Sequence, residues 1–127
     1  RGTFTGMTMD TTRADMTQAV MEGVIFGLRD SLEIARALGV CSQKTKICGG
    51  CAKSALWRKM TANILNMPVE VAAVACGVFQ NVKEASEKIV KIAETVFPDS
   101  ALVTKYEDKY RRFAKIYPEM RNIFDFL

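Results

Sequence analysis

The sequence predicts an α/β protein, rich in helix and short of strands. Three observations lead there. Two short β-prone segments, at 45–48 and 68–71, are separated by the pair Gly49-Gly50 and an amphipathic stretch. Strand, glycine turn, helix, strand is the order in which neighbouring strands of an α/β sheet are connected. Nearly all the remaining chain repeats its apolar residues at three- and four-residue steps, the helical period. Two strands flanked by so much helix make an incomplete sheet. The chain therefore reads as part of a domain.

The elements follow in order. Residues 1–11 are rich in Gly and Thr and read as a loop. Thr12, with Asp15 three residues on, has the spacing of a capping box. A long helix is expected from there, with Met16, Ala19, Val20, Gly23, Val24, Gly27, Leu28, Leu32 and Ala35 as its buried stripe. Gly23 and Gly27 weaken a helix, so close approach of a neighbouring element is expected beside them. Gly39 is the natural stop. A helix is expected over 52–66, with Leu56, Met60 and Ile64 on one face, ended by Pro68. Another is expected over 81–96, capped by Asn81 and broken by Pro98-Asp99-Ser100. A last helix carries Leu102, Tyr106, Tyr110, Phe113 and Tyr117 as a docking stripe and stops at Pro118. Residues 123–127 read as an apolar tail that packs down.

Composition narrows the function classes. With 127 residues, 49% hydrophobic and 25% charged, the chain suits one domain of modest core. No apolar run approaches the roughly 20 residues of a membrane span, and the start shows no signal-peptide pattern. With Arg1 in place of Met, the first residue reads as an interior position of a longer chain. The net charge of +4 is too mild to imply nucleic acid, and the basic run at 109–115 reads as a solvated helix face. The four cysteines, Cys41, Cys48, Cys51 and Cys76, do not form a secreted disulfide framework. Reduced thiols in the cytoplasm are the expectation.

The stretch Cys48-Gly49-Gly50-Cys51 invites three readings. Structural zinc needs four ligands, usually two close pairs. This chain has no His, and Cys41 and Cys76 do not form a second pair. A thiol–disulfide site places its first Cys at a helix start. Here only Cys51 lies there, and no Pro or aromatic residue precedes the pair. The third reading uses the backbone. Gly49 and Gly50 let a ligand approach the main chain, and the following helix points unpaired N–H groups and its positive dipole end at the turn. That suits a phosphate or nucleotide, with Lys53 or Ser54 as an added donor. The G-x-x-x-x-G-K-S/T pattern is absent, and a plain tight turn fits the glycines equally well.

Several motifs in sequence order sharpen this. Arg1-Gly2-x-Phe4-x-Gly6, Thr12-Arg13-Ala14, Ala19-Val20-Met21-Glu22-Gly23 and Phe26-x-Leu28-Arg29-Asp30 are followed by Gly49-Gly50-Cys51-Ala52-Lys53-Ser54-x-Leu56-Trp57. Together with the ending over 105–124, the pattern closely resembles the C-terminal part of the FGGY carbohydrate kinases, over nearly the whole chain. Within the family it is most similar to the branch acting on D-xylulose. The branches acting on glycerol, ribulose or gluconate are alternatives. A thiol redox module using Cys48 and Cys51 is the alternative from another class.

The resemblance implies part of an actin-like ATPase (ribonuclease H-like) domain, here a helix-rich fragment with few strands. It implies ATP-dependent phosphorylation of a sugar, with Mg-ATP and sugar in a cleft between two domains. By that resemblance Gly49, Gly50, Cys51 and Ala52 lie against the nucleotide, and Ser54 adds a polar contact. The catalytic carboxylate and the sugar contacts belong to the N-terminal domain, so no catalytic residue and no metal ligand is expected in residues 1–127. Partners are the sugar, ATP and the N-terminal domain of the same enzyme, with a homodimer allowed, and neither nucleic acid nor a membrane. This segment alone is expected to be inactive.

Two departures from the family pattern stand out. Cys51 occupies what is usually a third glycine. A thiol is small enough to preserve the loop, so the C-x-x-C spacing reads as one Cys in a glycine slot. After Val71 the family continues with a Glu/Gly-rich segment. Here Val71 runs directly into Ala72-Ala73-Val74, so an unobserved loop is expected near 71–72.

Overall fold

The computed structural model describes residues 2–72 and 92–126. Helix α1 spans Arg13–Ala37, strand β1 Thr45–Ile47, a 3-10 turn Gly50–Lys53, helix α2 Ala55–Leu65, strand β2 Val69–Ala72, strand β3 Ile92–Val96 and helix α3 Ser100–Phe126. The strands form one sheet in the order β1-β2-β3. β1 and β2 are parallel, with Lys46 opposite Glu70 and Ile47 opposite Val71. β3 returns antiparallel to β2, with Glu94 opposite Val71 and a register shift between Val71 and Ala72. The parallel pair is joined through the glycine turn and α2, and the turn residues Cys48 to Cys51 are exposed.

Both ends of α1 follow the sequence. The Thr12 hydroxyl accepts from the Asp15 N–H at 3.2 Å, and the Asp15 carboxylate accepts from the Thr12 N–H at 2.9 Å. The Thr12 hydroxyl also donates to the Asp15 carboxylate at 2.6 Å, and that bond first, then the one from the Thr12 N–H, holds the Asp15 carboxyl below its usual range. At the other end, Gly39 takes φ +87°. Its N–H bonds the Arg36 carbonyl at 2.9 Å, and the Val40 N–H reaches back to Ala35 at 3.0 Å. This paired arrangement satisfies the last carbonyls of a helix and favours glycine at that position. α2 ends at Asn66, the one non-glycine residue with positive φ among those described.

The core lies between the three helices. Ile25 and Phe26 of α1, Met60, Ile64 and Leu65 of α2, Met67, and Tyr106 of α3 form it, with Trp57, Tyr110 and Phe113 at its margin. α2 is the central element, and Met60 to Leu65 are all buried. Each fully buried aliphatic side chain such as Ile25 or Ile64 contributes roughly 1.5–3 kcal/mol of transfer free energy. A second cluster, Ala52 and Val71 with Ile47, sits between the glycine turn and the sheet.

Polar groups tie α1 to α3. The Lys109 ammonium bonds both oxygens of the buried Glu22, at 2.8 and 2.9 Å. The Arg29 guanidinium donates to the Ile64 carbonyl at 3.1 Å and to Glu107 and lies 4.1 Å from the centre of the Tyr110 ring. The bond from Arg29 holds the Glu107 carboxyl below its usual range. The Tyr110 hydroxyl donates to Asp30 at 2.7 Å. Burial first, and then that bond to a carboxylate, push the Tyr110 phenol up to about 12. Burial, and then the nearby Glu22, raise Tyr106 as well.

The structure departs from several expectations. The buried face of α1 is Glu22, Ile25, Phe26 and Arg29, while Val20, Val24 and Leu28 of the expected stripe are about half exposed. α1 has two apolar faces, and within this chain the one carrying paired charges packs inward. No described heavy atom lies within 4 Å of a Cβ built at Gly23 or Gly27, so the expected close neighbour is not among the described residues. α2 begins at Ala55, because Ser54 caps it and Gly50–Lys53 winds as a separate 3-10 turn. Residues 92–96 form a strand, not the end of a helix: Ile92, Thr95 and Val96 are β-branched, and β2 offers them a free edge. The rest of that expected helix, 81–91, lies outside the described residues. Finally, α3 runs through Pro118 to Phe126, and Ile123 is exposed on it rather than packed down. Pro118 removes one intrahelical bond, but on an exposed helix water can satisfy the freed carbonyl.

Candidate functional site

The glycine turn is assembled from three elements. β1 delivers the chain to Cys48, the 3-10 turn carries it over the edge of the sheet, and Ser54 starts α2. Gly49 has φ +80° and ψ −164°, a region that is essentially glycine-only. Its Ala52 N–H to Gly49 carbonyl bond, 3.2 Å, closes the turn, and the Ser54 N–H to Cys51 carbonyl bond, 3.1 Å, continues it. Gly49 is therefore required by the backbone. Gly50 is not: its φ is not positive, and a Cβ there would meet no described heavy atom within 4 Å. The fold of the described residues gives no reason for Gly50 to lack a side chain.

The other expected residues divide clearly. Cys48, Cys51, Lys53 and Ser54 are exposed around the turn. The Ser54 hydroxyl accepts from the Trp57 N–H at 3.2 Å and caps α2, which leaves its own O–H as a donor toward the outside. Ala52 is different. Its methyl is fully buried against Val71, its N–H is used by Gly49, and its carbonyl accepts from Arg58 at 2.7 Å. Ala52 anchors the turn from below and presents no side-chain surface. The first amides of a 3-10 turn precede its first internal bond, so Gly50 and Cys51 offer N–H groups at the mouth of the turn, with the N-terminus of α2 behind them.

Cys41, Cys48 and Cys51 are free thiols. Cys48 and Cys51 border a cleft of about 530 Å³ whose walls include Ile47, Trp57, Val24 and Leu28. It is predominantly apolar, as small-molecule sites are. Among the described residues no group of three or more His, Cys, Asp or Glu side chains could hold a metal ion. No described helix is long and apolar enough to cross a membrane.

Sequence reasoning missed Arg58 and Glu94. Arg58 is largely buried beneath the turn and pairs with Glu94 of β3 at 3.0 Å. One signal was available for it. A long side chain in the first turn of a helix leans toward the N-terminus, here onto the glycine turn. Glu94 carried no signal, because its strand was read as helix.

The model of the C-terminal domain of the FGGY family of carbohydrate kinases matches residues 1–80. The chain is 28% identical to a xylulose kinase of Staphylococcus epidermidis, over 97% of this chain and 28% of that protein. The fold matches the crystal structure of xylulose kinase from Rhodospirillum rubrum with a TM-score of 0.81 at 24% identity, covering 97% of this chain and 28% of that one. It also matches a gluconate kinase from Lactobacillus acidophilus with a TM-score of 0.76 at 24% identity, covering 94% and 27%. The chain thus spans little more than a quarter of the length of these proteins, and its architecture is part of an actin-like ATPase domain.

Proposed function

Because the chain belongs to the FGGY family of carbohydrate kinases, we propose that it supplies the nucleotide-binding side of an ATP-dependent sugar kinase, with D-xylulose as the favoured substrate. The observation that carries the reading is Gly50, a residue whose missing side chain serves neither backbone nor packing among the described residues. In this reading the N–H groups of Gly50 and Cys51 face the phosphates, Gly49 shapes the turn, and the Ser54 O–H gives a directional contact. The positive end of α2 favours the nucleotide's charge. Phosphoryl transfer asks mainly for positioning and charge neutralisation, and the turn contributes positioning. The base that accepts the sugar hydroxyl's proton lies outside these residues. Mg²⁺ is commonly held by phosphates and one or two carboxylates, and this reading assigns its protein ligands to the rest of the enzyme. The reading assigns the enzyme to the cytoplasm, where ATP is supplied.

The proposal includes a missing segment after Val71. The alignment with the Staphylococcus epidermidis relative extends over 137 positions for a chain of 127 residues. That relative therefore carries residues absent here, which supports the reading without fixing their place. The likeness to a gluconate kinase keeps a sugar acid as the second substrate reading. Coupled ATP consumption by the full-length kinase carrying this sequence, on D-xylulose, L-ribulose, glycerol and gluconate, tests both. Turnover on D-xylulose alone is expected. Turnover on another member changes the substrate, and no turnover with no ADP binding overturns the proposal.

A further inference from the structure

Resting on the nucleotide reading above, we infer that the Arg58–Glu94 pair is a strut that sets the height of the glycine turn and so determines nucleotide affinity. Arg58 rises from the first turn of α2. One terminal nitrogen, Nη1, donates to the Ala52 carbonyl at 2.7 Å, and the other, Nη2, meets the Glu94 carboxylate at 3.0 Å. Its Nε is buried and has no hydrogen-bond partner. A buried donor left unpaired is unfavourable. The guanidinium is therefore aimed by its two terminal contacts, not by the best satisfaction of the group as a whole.

What those contacts join is specific. Ala52 lies in the 3-10 turn, directly after the Gly50 and Cys51 amides. Glu94 lies on β3, opposite Val71. Val71 in turn carries the buried Ala52 methyl. The turn is thus gripped twice over the same strand pair, through the methyl on Val71 and through the carbonyl on Arg58. The Arg58 side chain is 16% exposed and Glu94 49% exposed, so Glu94 orients the guanidinium from the rim while the Ala52 carbonyl is the buried end of the link. Without the strut the methyl contact remains, but the carbonyl, and the amide plane before it, can tilt. Displacements of that kind matter at a site that works by positioning.

The test is Arg58→Met in the full-length kinase, which keeps the side-chain stem and removes the donors. The expected result is a rise of about tenfold in the KM for ATP and in the ADP dissociation constant, equivalent to about 1.4 kcal/mol. The kcat and the KM for the sugar stay essentially unchanged. A role in stability alone would instead lower the active fraction, and with it the apparent kcat, at constant KM. Arg58→Lys, whose single ammonium reaches one acceptor at a time, should recover part of the affinity. Glu94→Gln should bind nearly normally, since an amide oxygen still accepts, while Glu94→Ala weakens ADP binding. Cys51→Trp separates this inference from its premise. If the tryptophan weakens ADP binding and Arg58→Met does not, the strut is wrong and the nucleotide turn stands. If neither weakens it, the nucleotide turn itself is wrong. Should Arg58→Met fail to fold, unchanged ADP affinity in both Arg58→Lys and Glu94→Ala overturns the strut.

Discussion

Replacing Arg29 by Met should loosen the junction of all three helices. Besides an i,i+4 bond to Glu33 at 3.4 Å, the guanidinium makes three contacts beyond its own helix. It donates to the Ile64 carbonyl in the last turn of α2 at 3.1 Å, stacks 4.1 Å from the Tyr110 ring centre, and pairs with Glu107 of α3. The bond from a charged donor to a buried carbonyl is worth about 1.5–3 kcal/mol, and it meets the negative end of the α2 dipole. The stacking adds about 0.5–1 kcal/mol. Glu107 is 36% exposed, so its pairing is limited to about 0.2–1 kcal/mol. Met preserves most of the apolar contact of the stem, which leaves an expected loss of about 3 kcal/mol. Trp57 is the chain's single tryptophan and packs at the core margin, so its fluorescence reports urea unfolding. For a slope near 2 kcal/mol per molar, the midpoint should fall by about 1.5 M. Arg29→Lys should lose roughly half as much, since an ammonium lacks the planar fork that serves several partners at once. A loss below about 1 kcal/mol in Arg29→Met would refute the view that this guanidinium joins the helices.

Two further outcomes follow from the same contacts. The folded Tyr110 phenol, at about 12, lies above the value of about 10 in the unfolded chain. Keeping it neutral therefore contributes stability that is present below pH 10 and is lost as the pH rises toward 12. An absorbance titration of phenolate should show a late-ionising tyrosine, and Tyr110→Phe should remove that late step. Gly49→Ala should weaken ADP binding by the full-length kinase and lower its thermal midpoint, because φ +80° with ψ −164° is closed to a residue with a Cβ at a cost of about 1–3 kcal/mol. Unchanged affinity, measured by calorimetry, would mean that the turn does not touch the nucleotide.

Much of the local grammar was legible. The Thr12 capping box, the Gly39 stop, the strands on either side of Gly49-Gly50 and the break at 98–99 rest on nearest-neighbour chemistry that any short segment displays. What was hidden depends on partners distant in sequence. Glu22 and Arg29 look like surface residues until Lys109, Glu107 and Tyr110 come back to meet them from α3. The short run Ile92-Ala93-Glu94-Thr95-Val96 fits both helical and strand periods, and only the open edge of β2 decides between them. Val20, Val24 and Leu28 were expected inside, yet they are exposed in a chain spanning about 28% of its relative's length. At the turn, the sequence identified the glycines, but it could not show that Ala52 faces inward, since that follows from Val71 and Arg58 lying beneath it.

The central claim is that a nucleotide covers the Gly49-Gly50 turn, and the cysteines allow a direct measurement. Cys41, Cys48 and Cys51 are all exposed free thiols. In the full-length kinase, alkylation can be followed at each by mass spectrometry, with and without saturating ADP. ADP should slow modification of Cys51, and to a lesser degree Cys48, while Cys41 at the end of α1 reacts at its original rate. Equal rates at Cys51 with and without bound ADP would contradict the account.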